Sequence, residues 1–85
     1  MYYFYVLRFK NGKLYKGYTN NLERRIEEHK LGKSKFTSLQ GEFRLVFYEA
    51  YVNKRDAEEA ERYFKTGHGR EILKSKLKHC LGGVA

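Results

Sequence analysis

Two repeating patterns of apolar and polar positions divide this chain, and the first of them predicts β-strands. Residues 2–9 are aromatic or aliphatic except for Arg8, so both faces of the segment are apolar, which is typical of a strand in the middle of a sheet. A polar turn separates it from residues 13–18, a second strand that completes a hairpin. Residues 43–51, rich in aromatic and aliphatic side chains, predict a third strand.

The second pattern places apolar residues three and four positions apart, which predicts helices. It occurs in residues 21–31, 54–66 and 69–80. Asn20 and Glu23 have the spacing of a capping box at the start of the first helix. Asn53 can cap the second helix, and Gly67 is expected to stop it. Residues 32–41 are polar and irregular, which indicates a loop.

The element order is therefore strand, strand, helix, strand, helix, helix (ββαβαα). Such an order predicts an α+β fold in which about three helices flank a small three-stranded antiparallel sheet. A chain of 85 residues is expected to form one domain over residues 1–85. A domain of this size buries only roughly 60–65% of its unfolded surface, so its core is small.

The turn between the first two strands decides which of their side chains share a face. A two-residue loop, residues 11–12, would place Tyr5 and Tyr15 on opposite faces of the ribbon. A three-residue loop, residues 10–12, would put its glycine in the left-handed region and add a bulge. Tyr5 would then pair with Gly17, which leaves an open space beside the ring, and would lie diagonally beside Tyr15. Taken alone, two such tyrosines are also explained as ordinary sheet aromatics.

Both of the first two helices carry titratable side chains on the stripe that faces the core. The two stripes consist of Leu22, Arg25, Ile26 and His29, and of Ala57, Ala60, Glu61 and Phe64. Because a buried unpaired charge is costly, these charged groups must be paired, hydrated or placed in a cleft. Simple explanations exist for each: Arg25 can keep its guanidinium in water, Arg25 and Glu61 can form a structural ion pair, and His29 can be neutral.

The titratable residues and the two tyrosines together form a set that can hydrolyse a phosphodiester bond. A carboxylate can bind a divalent metal, an arginine can bind phosphate, and a phenol or an imidazole can transfer a proton. The set therefore favours a hydrolytic function over a purely structural one.

The charge of the chain favours a polyanionic partner. Eighteen Lys and Arg residues against ten Asp and Glu residues give a net charge of +8 and a pI near 9.7. Counterion release lets such a surface bind polyanions of any sequence. Nucleic acid is the leading expected partner and an anionic membrane surface the second, while a merely solubilising surface is the alternative that needs no partner.

Cysteine usage and hydropathy point to a reducing compartment. Cys80 is the single cysteine, so no internal disulfide can form, and three scattered histidines do not complete a zinc site with it. No apolar run approaches the length of a membrane span, and the N-terminus lacks the pattern of a signal peptide. We therefore expect a cytoplasmic protein that does not enter the membrane.

Five short motifs follow one another at characteristic spacings. They are Tyr-Phe-Tyr at 3–5, Tyr-Lys-Gly at 15–17, T-x-N-L-x-x-R-x-x-x-H at 19–29, D-A-x-x-x-E-x-x-F-K at 56–65, and the Thr-Gly-His-Gly-Arg-Glu stretch with Leu-Lys at 66–74. In this order, over residues 2–78, they resemble the GIY-YIG nucleases, and especially the small stand-alone bacterial members. The chain departs from the usual family residues at Tyr3, Phe4, Lys16 and Glu42.

The resemblance implies a metal-dependent endonuclease. It assigns to Glu61 one divalent ion, Mg²⁺ or Mn²⁺, and to Arg25 the binding of a phosphate oxygen. It makes Tyr5 the general base, Tyr15 its hydrogen-bonded neighbour and His29 the proton relay, while the residues themselves leave open which of these three accepts the proton. A free tyrosine has a pKa of ~10, so we expect Arg25 and the metal to lower the pKa of Tyr5.

The resemblance also implies the substrate. DNA is expected ahead of RNA, with cleavage that prefers a structure or has low specificity, and with a role in repair or recombination. The basic residues expected to hold the backbone are Lys16, Lys33, Lys35, Arg70, Lys74, Lys76 and Lys78. The protein is expected to be a monomer or weak dimer. A non-catalytic nucleic-acid-binding module on the same fold is the alternative, and a protein-interaction domain is a third class.

Overall fold

The computed structural model of the chain describes residues 1–32 and 41–82. Its elements are β1 (Tyr2–Phe9), β2 (Leu14–Thr19), α1 (Leu22–Lys30), β3 (Phe43–Tyr51), α2 (Lys54–Tyr63) and α3 (Gly67–Lys76). The strands form one antiparallel sheet in the order β2-β1-β3. The predicted α+β fold, with a three-stranded sheet flanked by three helices, is confirmed within these residues. Most of the predicted loop, residues 33–40, lies outside them.

The hairpin of β1 and β2 closes through three residues. The backbone N–H of Phe9 donates to the carbonyl of Lys13 at 2.9 Å, and the N–H of Gly12 donates to the carbonyl of Phe9 at 2.8 Å. Gly12 has a φ of 89°, in the left-handed region that favours glycine. Tyr5 is consequently paired with Gly17. The three-residue loop is confirmed, and the two-residue alternative is wrong.

Side chains of the central strand β1 alternate between the two faces of the sheet, as in any strand. Phe4 and Val6 lie on the face that α2 and α3 cover, in a buried cluster with Ala60, Phe64, Leu73 and Leu77. The rings of Phe4 and Phe64 stack with centroids 5.0 Å apart. The opposite face, which we call the α1 face, carries Tyr5, Leu7 and Phe9. No helix within the described ranges is long and apolar enough to span a bilayer.

The start of α1 differs from the prediction by one residue. Asn21, not Asn20, is the cap, because its side chain accepts a hydrogen bond from the backbone N–H of Arg24 at 3.0 Å. Asn20 instead accepts from the Arg24 guanidinium at 3.1 Å. Two adjacent asparagines offer the same side-chain acceptor, so the sequence pattern does not distinguish them.

The connection from α2 to α3 corrects two predicted boundaries. The Thr66 hydroxyl accepts a hydrogen bond from the N–H of Gly69 at 3.0 Å and caps α3, which therefore begins at Gly67. Gly67 is thus a helix start and not a helix stop, and α2 ends at Tyr63. A Cβ atom on Gly69 would lie 1.9 Å from the carbonyl oxygen of Tyr63, so this position needs glycine for the helices to approach each other.

We expect Gly69→Ala to lower the free energy of unfolding by about 1–3 kcal/mol, because the added methyl group overlaps backbone atoms. Gly67→Ala is the matched control, since nothing lies within 4 Å of a Cβ atom there. It should be neutral or stabilise the protein by up to about 1 kcal/mol. Urea unfolding followed by circular dichroism measures both. Equal unfolding free energies in the two variants would contradict the close approach of α2 and α3.

Candidate active site

The α1 face of the sheet brings three aromatic side chains together. Tyr5 is only 1% exposed, and its hydroxyl is hydrogen-bonded to Nε2 of His29 at 2.8 Å. The ring of Tyr15 lies 6.2 Å from that of Tyr5 and 5.1 Å from that of His29, centroid to centroid. The predicted placement of the two tyrosines on one face is confirmed. The last turn of α1 adds His29 to them.

Gly17 makes room for the Tyr5 side chain. A Cβ atom on Gly17 would lie 2.8 Å from the Tyr5 hydroxyl oxygen and 3.2 Å from Cε2 of Tyr15. The open space predicted beside Gly17 is therefore not found, because the phenol end of Tyr5 fills it. The glycine is needed so that Tyr5 can lie flat across β2 and reach His29.

Arg25 joins this group from the turn of α1 that precedes His29. Its guanidinium interacts with the side chains of Tyr5 and Tyr15 and donates a hydrogen bond to Glu28 at 2.9 Å. Burial lowers the pKa of Arg25, but Glu28 and Tyr5 outweigh it, so the net pKa is raised. The side chain is 30% exposed. Arg25 is therefore a fixed cation at the solvent-facing edge of the tyrosines.

The pKa of Tyr5 is shifted in the direction opposite to the one expected for a general base. Burial raises the pKa of Tyr5 to about 12, although its hydrogen bond with Arg25 partly lowers it. The protein groups alone therefore do not supply the expected lowering. Burial also lowers the pKa of His29, and the charge of Arg25 lowers it further. His29 is neutral near pH 7, so it can accept the proton of Tyr5 at Nε2.

Glu61 approaches the sheet from the other side. It lies on α2, next to the buried Ala60 that packs on Phe4 and Val6. Its side chain is 23% exposed and forms an ion pair with Lys65 at 3.2 Å. The edge strand β2 thus has the tyrosine group on its α1 face and Glu61 on the face covered by α2. Arg25 and Glu61 do not form the ion pair considered above. Arg25 pairs with Glu28, and Glu61 pairs with Lys65.

The donor set at Glu61 fits a hard divalent cation with few protein ligands. Among the residues that the structure describes, no three His, Cys, Asp or Glu side chains are grouped to hold a metal. Mg²⁺ characteristically keeps several waters and binds through one or two carboxylates together with substrate phosphates. A single, partly exposed carboxylate such as Glu61 is compatible with that mode. It is not compatible with a closed protein cage.

Some of the basic residues predicted to bind nucleic acid lie close together in the structure, along with one that was not predicted. Lys16 is half-buried on β2, and burial followed by the charges of Arg70, Lys65 and Lys74 lowers its pKa. We call Lys16, Lys65, Arg70 and Lys74 the basic cluster. The remaining predicted residues are Lys76 and Lys78, which are exposed, and Lys33 and Lys35, which lie outside the described residues. Sequence interpretation missed Lys65, whose only distinguishing feature is that it follows Glu61 by one helical turn.

The site combines side chains from three parts of the fold. Two tyrosines lie on the hairpin, an arginine and a histidine on α1, and a glutamate on α2. The family model described as the GIY-YIG catalytic domain matches residues 1–76 of the chain. The chain therefore belongs to the GIY-YIG family.

The relatives are bacterial proteins named UPF0213. The chain is 47% identical over 64 residues to the UPF0213 protein of Bacillus licheniformis, covering 74% of this chain and 66% of the relative, slightly less than two thirds of its length. It is 43% identical over 78 residues to the UPF0213 protein of Pediococcus pentosaceus, and the match covers 91% of this chain and 78% of the relative. The solution NMR structure of the UPF0213 protein BH0048 from Bacillus halodurans has the same fold, with a TM-score of 0.56, 39% identity, and coverage of 88% and 84%.

Proposed function

We propose that the chain is a metal-dependent endonuclease that hydrolyses phosphodiester bonds in DNA. The observation that carries the proposal is the buried 2.8 Å contact between the Tyr5 hydroxyl and Nε2 of His29, with Arg25 beside it. A phenol bonded to a neutral imidazole can move a proton, and a guanidinium next to it can hold a phosphate. Membership of the GIY-YIG family supports the hydrolytic use of this group.

Proton transfer is assigned to Tyr5 and His29. As the attacking water gives a proton to the Tyr5 oxygen, Tyr5 passes its own proton to Nε2 of His29. A free phenolate then need not accumulate, which matters because the pKa of Tyr5 is raised to about 12. Tyr15 packs beside both rings and restricts their orientation.

Phosphate binding is assigned to Arg25. Its planar guanidinium can donate two hydrogen bonds to the scissile phosphate. The charge of Arg25 lowers the pKa of His29 in the absence of substrate. A phosphate bound at Arg25 offsets that charge, so His29 becomes a better proton acceptor once substrate is present.

The metal is assigned to Glu61. Its present partner Lys65 is 54% exposed and can turn into solvent when a cation takes its place. Mg²⁺ or Mn²⁺ held by Glu61 would supply Lewis-acid stabilisation of a phosphate oxygen.

The basic cluster supports DNA as the substrate. Four cations beside β2 can hold the phosphates of a strand that passes the edge of the sheet. Phosphate contacts position a strand and carry no direct sequence information, so we propose cleavage of low or structure-dependent specificity. A monomer or weak dimer that acts in cytoplasmic DNA repair or recombination completes the proposal.

Nicking of supercoiled plasmid tests the proposal. We expect the wild-type protein to nick with Mg²⁺ or Mn²⁺ and to be inactive in EDTA. Glu61→Gln should slow nicking by about 10-fold or more, because an amide is a weaker ligand for a hard cation than a carboxylate. Glu59→Gln, at an exposed position of the same helix, is the matched control and should nick as the wild type does. Nicking that survives both Glu61→Gln and Arg25→Ala would come from a contaminating nuclease.

A non-catalytic DNA-binding module is the second candidate. The raised pKa of Tyr5 favours it, because a phenol that stays protonated can act as a base only if His29 takes up its proton. The basic cluster would then be the functional surface. Salt-sensitive binding to DNA by a wild-type protein that never nicks with either metal would establish this alternative.

A further inference from the structure

Helix α1 covers only part of the sheet face that carries the tyrosine group. Tyr5 is buried beneath it, against His29 of the helix, but neighbouring positions of β3 are exposed. Tyr48 is 54% exposed and Leu45 is 39% exposed, and Ala50 is exposed as well. Within residues 1–32 and 41–82, the α1 face therefore continues past the candidate active site as an exposed surface on the edge strand β3.

Tyr48 occupies a defined place on this surface. It is the register partner of Tyr5 across β1 and β3, so both side chains point to the same face from neighbouring strands about 5 Å apart. Its ring packs edge to face against Tyr3, with centroids 6.1 Å apart and planes at 63°. Tyr3 is half-buried and gives the exposed ring a fixed support. The ring of Tyr48 is thus both solvent-facing and held in position.

We propose that Tyr48, supported by Tyr3, is a stacking site for an unpaired nucleobase of the bound strand. The inference rests on the proposed function and specifies the kind of DNA that the site takes. An exposed aromatic ring on a sheet binds any base through its π face, whereas a base inside a duplex already stacks on its neighbours. The site therefore favours substrates that contain unpaired nucleotides.

The charge of the protein favours a nucleic-acid base over an apolar protein surface as the group that covers Tyr48. The chain carries a net charge of +8, and the ring of Tyr48 is an aromatic surface that is 54% exposed. A polyanion that exposes aromatic bases matches both features, whereas a second copy of this chain would bring another +8 to the same place.

Binding without metal tests the site separately from catalysis. The probe is a short single-stranded oligonucleotide that contains 2-aminopurine, whose fluorescence falls when it stacks, titrated with the protein in EDTA. We expect quenching with the wild-type protein. Tyr48→Ala should abolish the quenching and weaken binding by about 5- to 100-fold, while Tyr48→Phe keeps both. Val52→Ala, at a position that is 84% exposed just after β3, should bind as the wild type does.

Fully paired DNA of the same sequence provides the second comparison. Tyr48→Ala should leave its affinity unchanged, so the preference for unpaired DNA should disappear in this variant. Unquenched probe with the wild-type protein, or equal affinity of wild type and Tyr48→Ala for the single strand, would overturn the inference. A dimer in sedimentation that Tyr48→Ala converts to a monomer would overturn it too, since a second copy would then cover the ring. Failure of the nuclease proposal shows itself differently, as a missing metal-dependent nick with stacking intact.

Discussion

Tyr5→Phe is expected to nick plasmid DNA about 10²- to 10⁴-fold more slowly than the wild-type protein. Phenylalanine fills the same buried volume but has no hydroxyl to pass a proton to His29. The ring contacts on the α1 face remain, so the change removes the hydrogen bond to His29 on which the proposed proton transfer depends, and little else. Rates of conversion from supercoiled to open-circular plasmid, measured with saturating Mg²⁺, give the effect directly.

The control for this variant is Tyr51→Phe. Tyr51 also carries a hydrogen-bonded hydroxyl, which donates to Glu49, but it lies at the end of β3 and away from the tyrosine group. It should nick at the wild-type rate. Thermal unfolding of both variants shows whether the lost hydrogen bond, worth about 1 kcal/mol, has altered stability. A Tyr5→Phe protein as active as the wild type would remove Tyr5 from the chemistry.

Gly17→Ala is expected to slow nicking by about 100-fold, through geometry alone. The added Cβ atom would lie 2.8 Å from the Tyr5 hydroxyl oxygen and 2.9 Å from Cζ, closer than such contacts occur. The buried ring must turn away, and its hydroxyl then leaves Nε2 of His29. The same plasmid assay measures the loss.

Two comparisons isolate this effect from a general loss of fold. Gly67→Ala adds the same methyl group in open space and should leave nicking unchanged. DNA binding by Gly17→Ala in EDTA should stay close to that of the wild type, because the basic cluster lies on the other face of β2. Wild-type nicking by Gly17→Ala would mean that Tyr5 does not need its position against His29.

The sequence predicts the parts of the site that depend on local periodicity, apart from the length of one turn. A two-residue and a three-residue turn between β1 and β2 both agree with the sequence, and only the three-residue turn found in the structure places Tyr5 and Tyr15 on one face. Helical spacing likewise places Arg25 and His29 on one stripe of α1. Each of these predictions needs only neighbours that are close along the chain.

Other features depended on tertiary packing. Helical spacing shows which side of α2 carries Glu61, but it does not show which face of the sheet α2 covers. The pKa of Tyr5 is raised because α1 closes over the ring, and burial of this kind has no local signature. The ion-pair partners Glu28 and Lys65 are similarly set by side-chain reach on a folded surface.

The number of residues in the turn between β1 and β2 determines which face of the sheet each side chain of β2 occupies. One residue more or fewer between β1 and β2 would turn every side chain of β2 over. Lys16 and Tyr18 would then face α1, and Tyr15 would lose its contacts with the rings of Tyr5 and His29. Two additional residues would preserve the facing of every side chain. A turn of even length would therefore place Lys16, and not Tyr15, on the α1 face beside Tyr5.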